Sequence, residues 1–145
     1  MIEATNVSPA YRIELVRTKV AEPATSLSSP QDVARYLEHL ARYDREHLIR
    51  LDLDVRCQLI SVETVHIGTV DAIQISPREI FRGALLSGAR QVIIAHNHPS
   101  GDPSPSDEDR AVADKLKRVG ELMDIPVTDF CIVADGEFWS WMRAT

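Results

Sequence analysis

The feature of this 145-residue chain that most limits its fold is a short apolar run, Val92–Ala95, which ends at His96. Such a run is typical of a central strand that is buried on both faces. The next stretch, HNHPSGDPSP, contains three prolines and a glycine, so the chain must leave regular structure at once. Because predicted strands and helices alternate along the chain, we predict an α/β fold with a mixed sheet covered by helices on both faces.

Apolar periodicity predicts the other elements. Alternation predicts strands over Tyr11–Val20, Glu46–Leu53, Cys57–Ile67, Val127–Val133 and Glu137–Met142. Helical spacing predicts three helices, capped by Ser29, by Ser76 with Glu79, and by Ser106. Their expected core residues are Val33, Tyr36, Leu37 and Leu40; Ile80, Phe81, Ala84 and Leu85; and Val112, Leu116, Val119 and Met123. We expect residues 1–9 to be a flexible end and residues 10–145 to form one domain.

Composition excludes several classes of function. The net charge is −6, and an acidic domain gains little from counterion release, so direct nucleic-acid binding is not expected. No apolar run approaches a membrane span, and the first residues do not resemble a signal peptide. The two cysteines, Cys57 and Cys131, are too few for a disulfide framework and are interpreted as small core residues. We therefore predict a cytoplasmic protein; its oligomeric state stays open.

The chemistry-bearing pattern is H-x-H-x(7)-S-x-x-D, formed by His96, His98, Ser106 and Asp109. In extended chain, residues i and i+2 point to the same side, so the two imidazoles can converge on one ion. Asp109, in the first turn of the third helix, is the candidate third ligand. Two nitrogens, one oxygen and a vacant position are typical of a catalytic zinc site. The competing interpretation is that Ser106 and Asp109 form a helix cap that needs no metal; the two are compatible.

A hydrolytic zinc also needs a base that accepts a proton from water. Glu46 is the best candidate, because it begins a strand that could pair beside the strand ending at His96. Glu63 and Glu108 remain alternatives. The other histidines, His39, His47 and His66, are interpreted as structural, and Trp139 and Trp141, on one predicted strand face, as packing residues.

The stretch HNHPSGDPSPSDED resembles the metal-binding signature of the RadC family, a bacterial branch of the JAB/MPN (JAMM) domains. Further similar segments are REHL around Glu46, GTVD at Gly68–Asp71 and PREIFR from Pro77, so the resemblance covers residues 10–143. It implies a cytidine-deaminase-like α/β/α sandwich with one zinc. His96, His98 and Asp109 would be ligands, Glu46 the general acid/base, and Ser106 a hydrogen-bond donor to the oxyanion.

The resemblance implies a zinc hydrolase that cleaves peptide or isopeptide bonds in a peptide or protein substrate. The alternative is a non-catalytic metal-binding interaction module linked to DNA repair. Many RadC proteins carry an N-terminal helix-hairpin-helix domain; this chain starts at the strand before the catalytic domain, so it is expected to be a truncation or a short member. A nucleobase deaminase is the weakest hypothesis, because the P-C-x-x-C ligand pair of such enzymes is missing.

Overall fold

The computed structural model describes residues 9–14, 16, 18 and 25–144. Its elements, in chain order, are helix α1 (Pro30–Tyr36), a 3-10 helix (Glu38–Arg42), strands β1 (His47–Leu53) and β2 (Leu59–Ile67), helix α2 (Pro77–Ser87), strand β3 (Gln91–Asn97), helix α3 (Asp107–Leu122), strands β4 (Val127–Ala134) and β5 (Glu137–Ser140), and helix α4 (Trp141–Ala144).

The strands form one mixed sheet in the order β2-β1-β3-β4-β5. β3 pairs in parallel with β4, whereas the other neighbouring pairs are antiparallel. β3 is the middle strand, and its residues 92–97 are all buried. The prediction of a mixed sheet built around a buried central strand is confirmed.

Two apolar clusters cover the two faces of the sheet. Alternate residues of β3 divide between them: Val92 and Ile94 lie on the face packed by α2 and α3, and Ile93 and Ala95 lie on the face packed by α1 and the 3-10 helix. The predicted sandwich of helices on both faces is therefore confirmed. No helix in the described part of the chain is long and apolar enough to cross a membrane.

All three helices begin at the predicted residues, but the predicted side-chain capping forms in only two of them. Ser29 caps α1 in a full capping box, as does Ser106 at α3. Ser76 precedes α2 but makes no side-chain capping bond, so the predicted box with Glu79 is wrong. Leu85, predicted to face the core, is 57% exposed, because the covered stripe of α2 ends with Ile80, Phe81 and Ala84.

The predicted strand Tyr11–Val20 is wrong for the residues that the structure describes. Residues 11–14, 16 and 18 belong to no strand, and Tyr11, Ile13 and Val16 are 82–86% exposed. Alternation stabilises a strand only when one face is covered. The rest of this segment, and residues 1–8 of the expected flexible end, lie outside the described residues.

The last predicted strand is too long. β5 ends at Ser140, and Trp141 begins α4, so Trp139 and Trp141 do not share a strand face, although both pack against the cluster under α2 and α3. The buried carboxylate of Asp129 causes the turn, because it accepts hydrogen bonds from Ser140 Oγ at 2.6 Å and from the Met142 N–H at 3.0 Å.

The β1–β2 hairpin forms as predicted, but β2 begins at Leu59 rather than at Cys57. Cys57 has φ 60° and donates its N–H to the Asp54 carbonyl at 3.1 Å, so it belongs to the turn. It is half-buried there, whereas Cys131 lies in the core at 1% exposure.

Candidate metal centre

The carboxyl end of β3 places the two histidines of the motif side by side. Their ring centroids lie 4.8 Å apart, and the His96 ring packs edge-on against Phe130 at 5.6 Å. The His96 side chain is fully buried. Neither of its ring nitrogens has a partner in hydrogen-bond geometry among the described residues, although Nε2 lies 2.9 Å from Asp109 Oδ1. A buried imidazole without hydrogen bonds is rare in a folded protein and indicates a missing partner.

His98 is held by the loop that follows it. Its N–H donates to the Val133 carbonyl at 3.0 Å, which keeps the chain extended for one more residue. Gly101, with φ 89°, then turns the chain back, and the Asp102 carbonyl lies 2.8 Å from His98 Nδ1. A backbone carbonyl on Nδ1 orients the ring and leaves Nε2 for a metal, as is usual for metal-binding histidines.

Asp109 faces both imidazoles. Its Oδ1 lies 2.9 Å from His96 Nε2, and its Oδ2 lies 3.0 Å from His98 Nε2. The same side chain completes the α3 capping box: Oδ2 accepts the Ser106 N–H at 2.8 Å, and the Asp109 N–H donates to Ser106 Oγ at 3.1 Å. The capping interpretation is confirmed, and the cap turns the carboxylate toward the histidines.

Charge and burial oppose each other here. Burial, the largest single influence, would raise the pKa of Asp109, but the close approach of both imidazoles and the hydrogen bond from the Ser106 N–H together hold that pKa well below its usual range. The hydrogen bond to Asp109 is also the main cause of a raised pKa of His98, with burial opposing it. Asp109 is therefore an ionised carboxylate, and both of its oxygens face the imidazole nitrogens.

Glu46 borders the same space from β1. Glu46 directly precedes the first residue of β1, and its backbone carbonyl accepts the Gly68 N–H at 2.8 Å. Its Oε2 accepts the Val70 N–H at 3.0 Å. Potential ligand atoms of Glu46, His96 and His98 all lie within 4.8 Å of one another. The pairing of Leu48 with His96 in the β1–β3 ladder brings the carboxylate to this distance, as the sequence argument expected.

These residues fit a divalent cation. Two imidazoles and a carboxylate converge, and the buried His96 nitrogens have no other partner among the described residues. Nitrogen and oxygen donors of this kind suit a borderline ion such as zinc. The arrangement is thus a possible metal-binding site.

The alternative candidates lie elsewhere or are committed to other contacts. Glu63 pairs with Arg50 at 2.7 Å, and Glu108 is exposed on the first turn of α3. Cys131 bonds to Asp129 at 3.3 Å, and Cys57 lies beside the Gln91 amide at 3.5 Å. His47 stacks on Tyr43 at 4.2 Å, a packing contact.

Sequence reasoning missed the contacts that hold these side chains in place. The Val70 N–H and the Asp102 carbonyl are backbone groups, which no residue type announces. Gly101, inside the Pro-Ser-Gly-Asp-Pro turn, was the available signal for the loop. Asn97, which stands between the two histidines, is only a spacer in the H-x-H pattern.

The mixed sheet covered by helices, with a His-x-His pair at the end of its central strand, is consistent with a JAB/MPN-type fold. The family model of the RadC-like JAB domain matches residues 27–145, and the chain belongs to this family. JAB domains include metalloproteases among their members.

Relatives with the name UPF0758 are similar over most of the chain. One from Methanosarcina mazei is 42% identical over 132 residues, 90% of this chain and 56% of the relative. One from Desulforamulus reducens is 38% identical over 143 residues, 96% of this chain and 62% of the relative. One from Shouchella clausii is 40% identical over 146 residues, 97% of this chain and 62% of the relative. The chain thus spans 56–62% of the length of these relatives, whose name assigns no activity.

Proposed function

We propose that this chain is a zinc-dependent hydrolase that cleaves a peptide or isopeptide bond in a peptide or protein substrate. His96, His98 and Asp109 would hold the ion, and Glu46 would serve as the acid/base group. The observation that carries the proposal is the convergence of both Nε2 atoms on one carboxylate, at 2.9 and 3.0 Å, with Glu46 beside them. A zinc ion bound there would polarise the substrate carbonyl and acidify a water molecule.

Glu46 is suited to move the proton. Its Oε2 is fixed by the Val70 N–H, so the carboxylate is oriented before substrate arrives. In the proposed reaction Glu46 takes a proton from the attacking water and returns it to the leaving amine. The ligand set alone would suffice for binding, so the nearby carboxylate favours catalysis over a metal-binding module.

Ser106 is proposed to donate its hydroxyl hydrogen to the developing oxyanion. Its Oγ accepts the Asp109 N–H, which fixes the position of the oxygen and leaves the hydroxyl hydrogen free to point elsewhere. The residue is exposed at the start of α3, so a substrate can reach it. Removing one such donor from an enzyme costs about 10²–10³ in kcat.

The cytoplasm is the proposed location, because both cysteines are free thiols. We propose no direct nucleic-acid contact for this chain, given its net charge of −6.

The test is cleavage of a peptide library by the zinc-loaded protein and by two matched variants, Glu46→Gln and Glu108→Gln. We expect the wild-type protein and Glu108→Gln to cleave, and Glu46→Gln to lose about 10²–10⁴ in rate while it retains zinc. Cleavage by Glu46→Gln at the wild-type rate would contradict the assignment of the base. Full zinc occupancy without cleavage by the wild-type protein would favour the interaction module instead.

A further inference from the structure

Asn97 stands between the two histidines and points to the opposite face of the sheet. It is fully buried, and its side chain bonds to backbone groups about fifty residues earlier in the chain. Oδ1 accepts the His47 N–H at 2.7 Å, and Nδ2 donates to the Arg45 carbonyl at 2.9 Å, with the Tyr43 carbonyl further off at 3.5 Å. The two short bonds flank Glu46 on both sides.

The position of these bonds in the sheet explains why a side chain makes them. Leu48 and His96 are the last paired residues at this end of the β1–β3 ladder. Beyond them β3 leaves β1, because the His98 N–H bonds to Val133 on β4. The His47 N–H therefore has no backbone partner on β3, and the Asn97 side-chain oxygen accepts its hydrogen bond instead. An amide is suited to this task, since it offers an acceptor and a donor together.

A third contact closes the arrangement around Glu46. Its carbonyl accepts the Gly68 N–H at 2.8 Å, from the far side of β1. Gly68 has φ 122°, a backbone conformation that residues other than glycine rarely adopt. The backbone at residues 45–47 is therefore bonded on both sides, and the direction in which the Glu46 side chain leaves it is fixed.

We infer that Asn97 is a positioning residue, which locks the backbone on both sides of Glu46 and so aims its carboxylate at the space between His96, His98 and Asp109. One residue thereby links the strand that carries the ligands to the group that moves the proton. The inference rests on the proposed function for its catalytic consequence, but the positioning itself is a property of the chain alone. The competing explanation is a buried amide that stabilises the sheet without special effect on Glu46.

The experiment compares Asn97→Leu with Gln91→Leu. Leu is close to Asn in size and removes the polar groups. Gln91 lies at the other end of β3 and makes the same kind of bond, from Nε2 to the Asp54 carbonyl at 2.8 Å, so it is the matched control. Amide hydrogen exchange is measured by NMR before zinc is added. We expect the Val70 N–H, the partner of Glu46 Oε2, to exchange about tenfold faster in Asn97→Leu and at the wild-type rate in Gln91→Leu.

The zinc-loaded proteins supply the catalytic readout. In Asn97→Leu we expect kcat to fall about 10–100-fold with KM and zinc stoichiometry unchanged. The reason is that the Glu46 carboxylate would be slightly displaced from the position at which it accepts the proton. The double variant Asn97→Leu/Glu46→Gln should be no slower than Glu46→Gln, since Asn97 acts through Glu46.

An unchanged Val70 exchange rate in a folded Asn97→Leu protein would overturn the inference, and so would an equal effect of Gln91→Leu. If Asn97→Leu does not fold, Asn97→Ser is measured in the same way, and faster exchange over the whole sheet in that variant too would mean a merely structural amide. If the wild-type protein cleaves nothing, the proposed function fails while the Val70 result still decides the positioning role.

Discussion

Two buried polar clusters lie on the same face of the sheet, and they differ in one respect. Around Arg50, each charged nitrogen has a partner: Nε and Nη2 donate to Asp52 at 2.6 and 3.0 Å, and Nη1 donates to Glu63 and to the Ile80 carbonyl, both at 2.7 Å. Around His96, two buried ring nitrogens have no hydrogen bond. Burial and charge are common to both clusters, so neither separates them; the hydrogen bonding of the buried nitrogens does.

The Arg50 cluster is closed by further donors. Asp52 Oδ2 also accepts hydrogen bonds from Ser61 and Ser87, at 2.6 and 2.9 Å. Burial would lower the pKa of Arg50, but Asp52 and Glu63 outweigh it and raise that pKa, so the guanidinium stays charged. Each charged nitrogen of this network already has a partner, so the network stabilises the fold and does not bind a ligand.

The largest effect should come from breaking this closed cluster. Arg50→Met leaves Asp52 buried without its cation, and we expect a loss of about 3–5 kcal/mol in the free energy of unfolding, measured by urea denaturation. The control is Arg35→Met, because Arg35 is 78% exposed and its ion pair with Asp32 is 3.9 Å long. A surface pair contributes about 0–1 kcal/mol. Equal losses in the two variants would remove the distinction between the clusters.

Zinc should stabilise the folded protein by binding at the His96 cluster and not at the Arg50 cluster. A ligand that binds only the folded state at 100 times its Kd adds about 2.7 kcal/mol to the free energy of unfolding. We expect this gain in the wild-type protein and in Gly83→Ala, whose added methyl group would lie against Arg50 and Glu63. We expect no gain in His98→Ala. Thermal unfolding with and without zinc measures it. A gain of the same size in His98→Ala would place the binding site elsewhere.

A smaller effect is expected at Gly83, where α2 crosses the Arg50 cluster. A Cβ at this position would lie 2.6 Å from Glu63 Oε1 and closer still to Arg50 Nη2. Gly83→Ala should therefore cost about 1–3 kcal/mol in the free energy of unfolding, despite the better helix propensity of Ala. Arg82→Ala, at an exposed position of the same helix, should change it by less than about 0.5 kcal/mol. A stabilised Gly83→Ala protein would mean that the cluster has room to spare.

The two clusters also show what could be read from the sequence. His96 and His98 fall on one side because side chains alternate in extended chain, and Asp109 follows from the spacing of a helix cap. Glu46 was placed by a strand pairing. The contacts that hold it run from Asn97 to the backbone of residues 45 and 47 and from the Val70 N–H to its own Oε2. They join residues that are far apart in the chain and use backbone groups, so residue type gives no sign of them. No sequence pattern marks the Arg50 cluster either, because the partners of Arg50 come from three elements.

The errors have a common cause as well. The predicted strands Tyr11–Val20 and Glu137–Met142 rest on local pattern alone, whereas contacts with the rest of the fold decide whether such a pattern becomes a strand. At Ser140 the deciding group is the carboxylate of Asp129, eleven residues earlier.

Zinc titration by calorimetry of the wild-type protein, His98→Ala and Glu46→Gln directly tests the assignment of ligands and base. We expect one site per chain in the wild-type protein and in Glu46→Gln, and no measurable site in His98→Ala, whose circular dichroism should remain that of a folded protein. The reason is that His98 offers Nε2 to the shared space with Asp109, whereas Glu46 is held by Val70 for proton transfer. Zinc retained by His98→Ala would contradict His98 as a ligand, and zinc lost by Glu46→Gln would contradict Glu46 as a base that does not hold the ion.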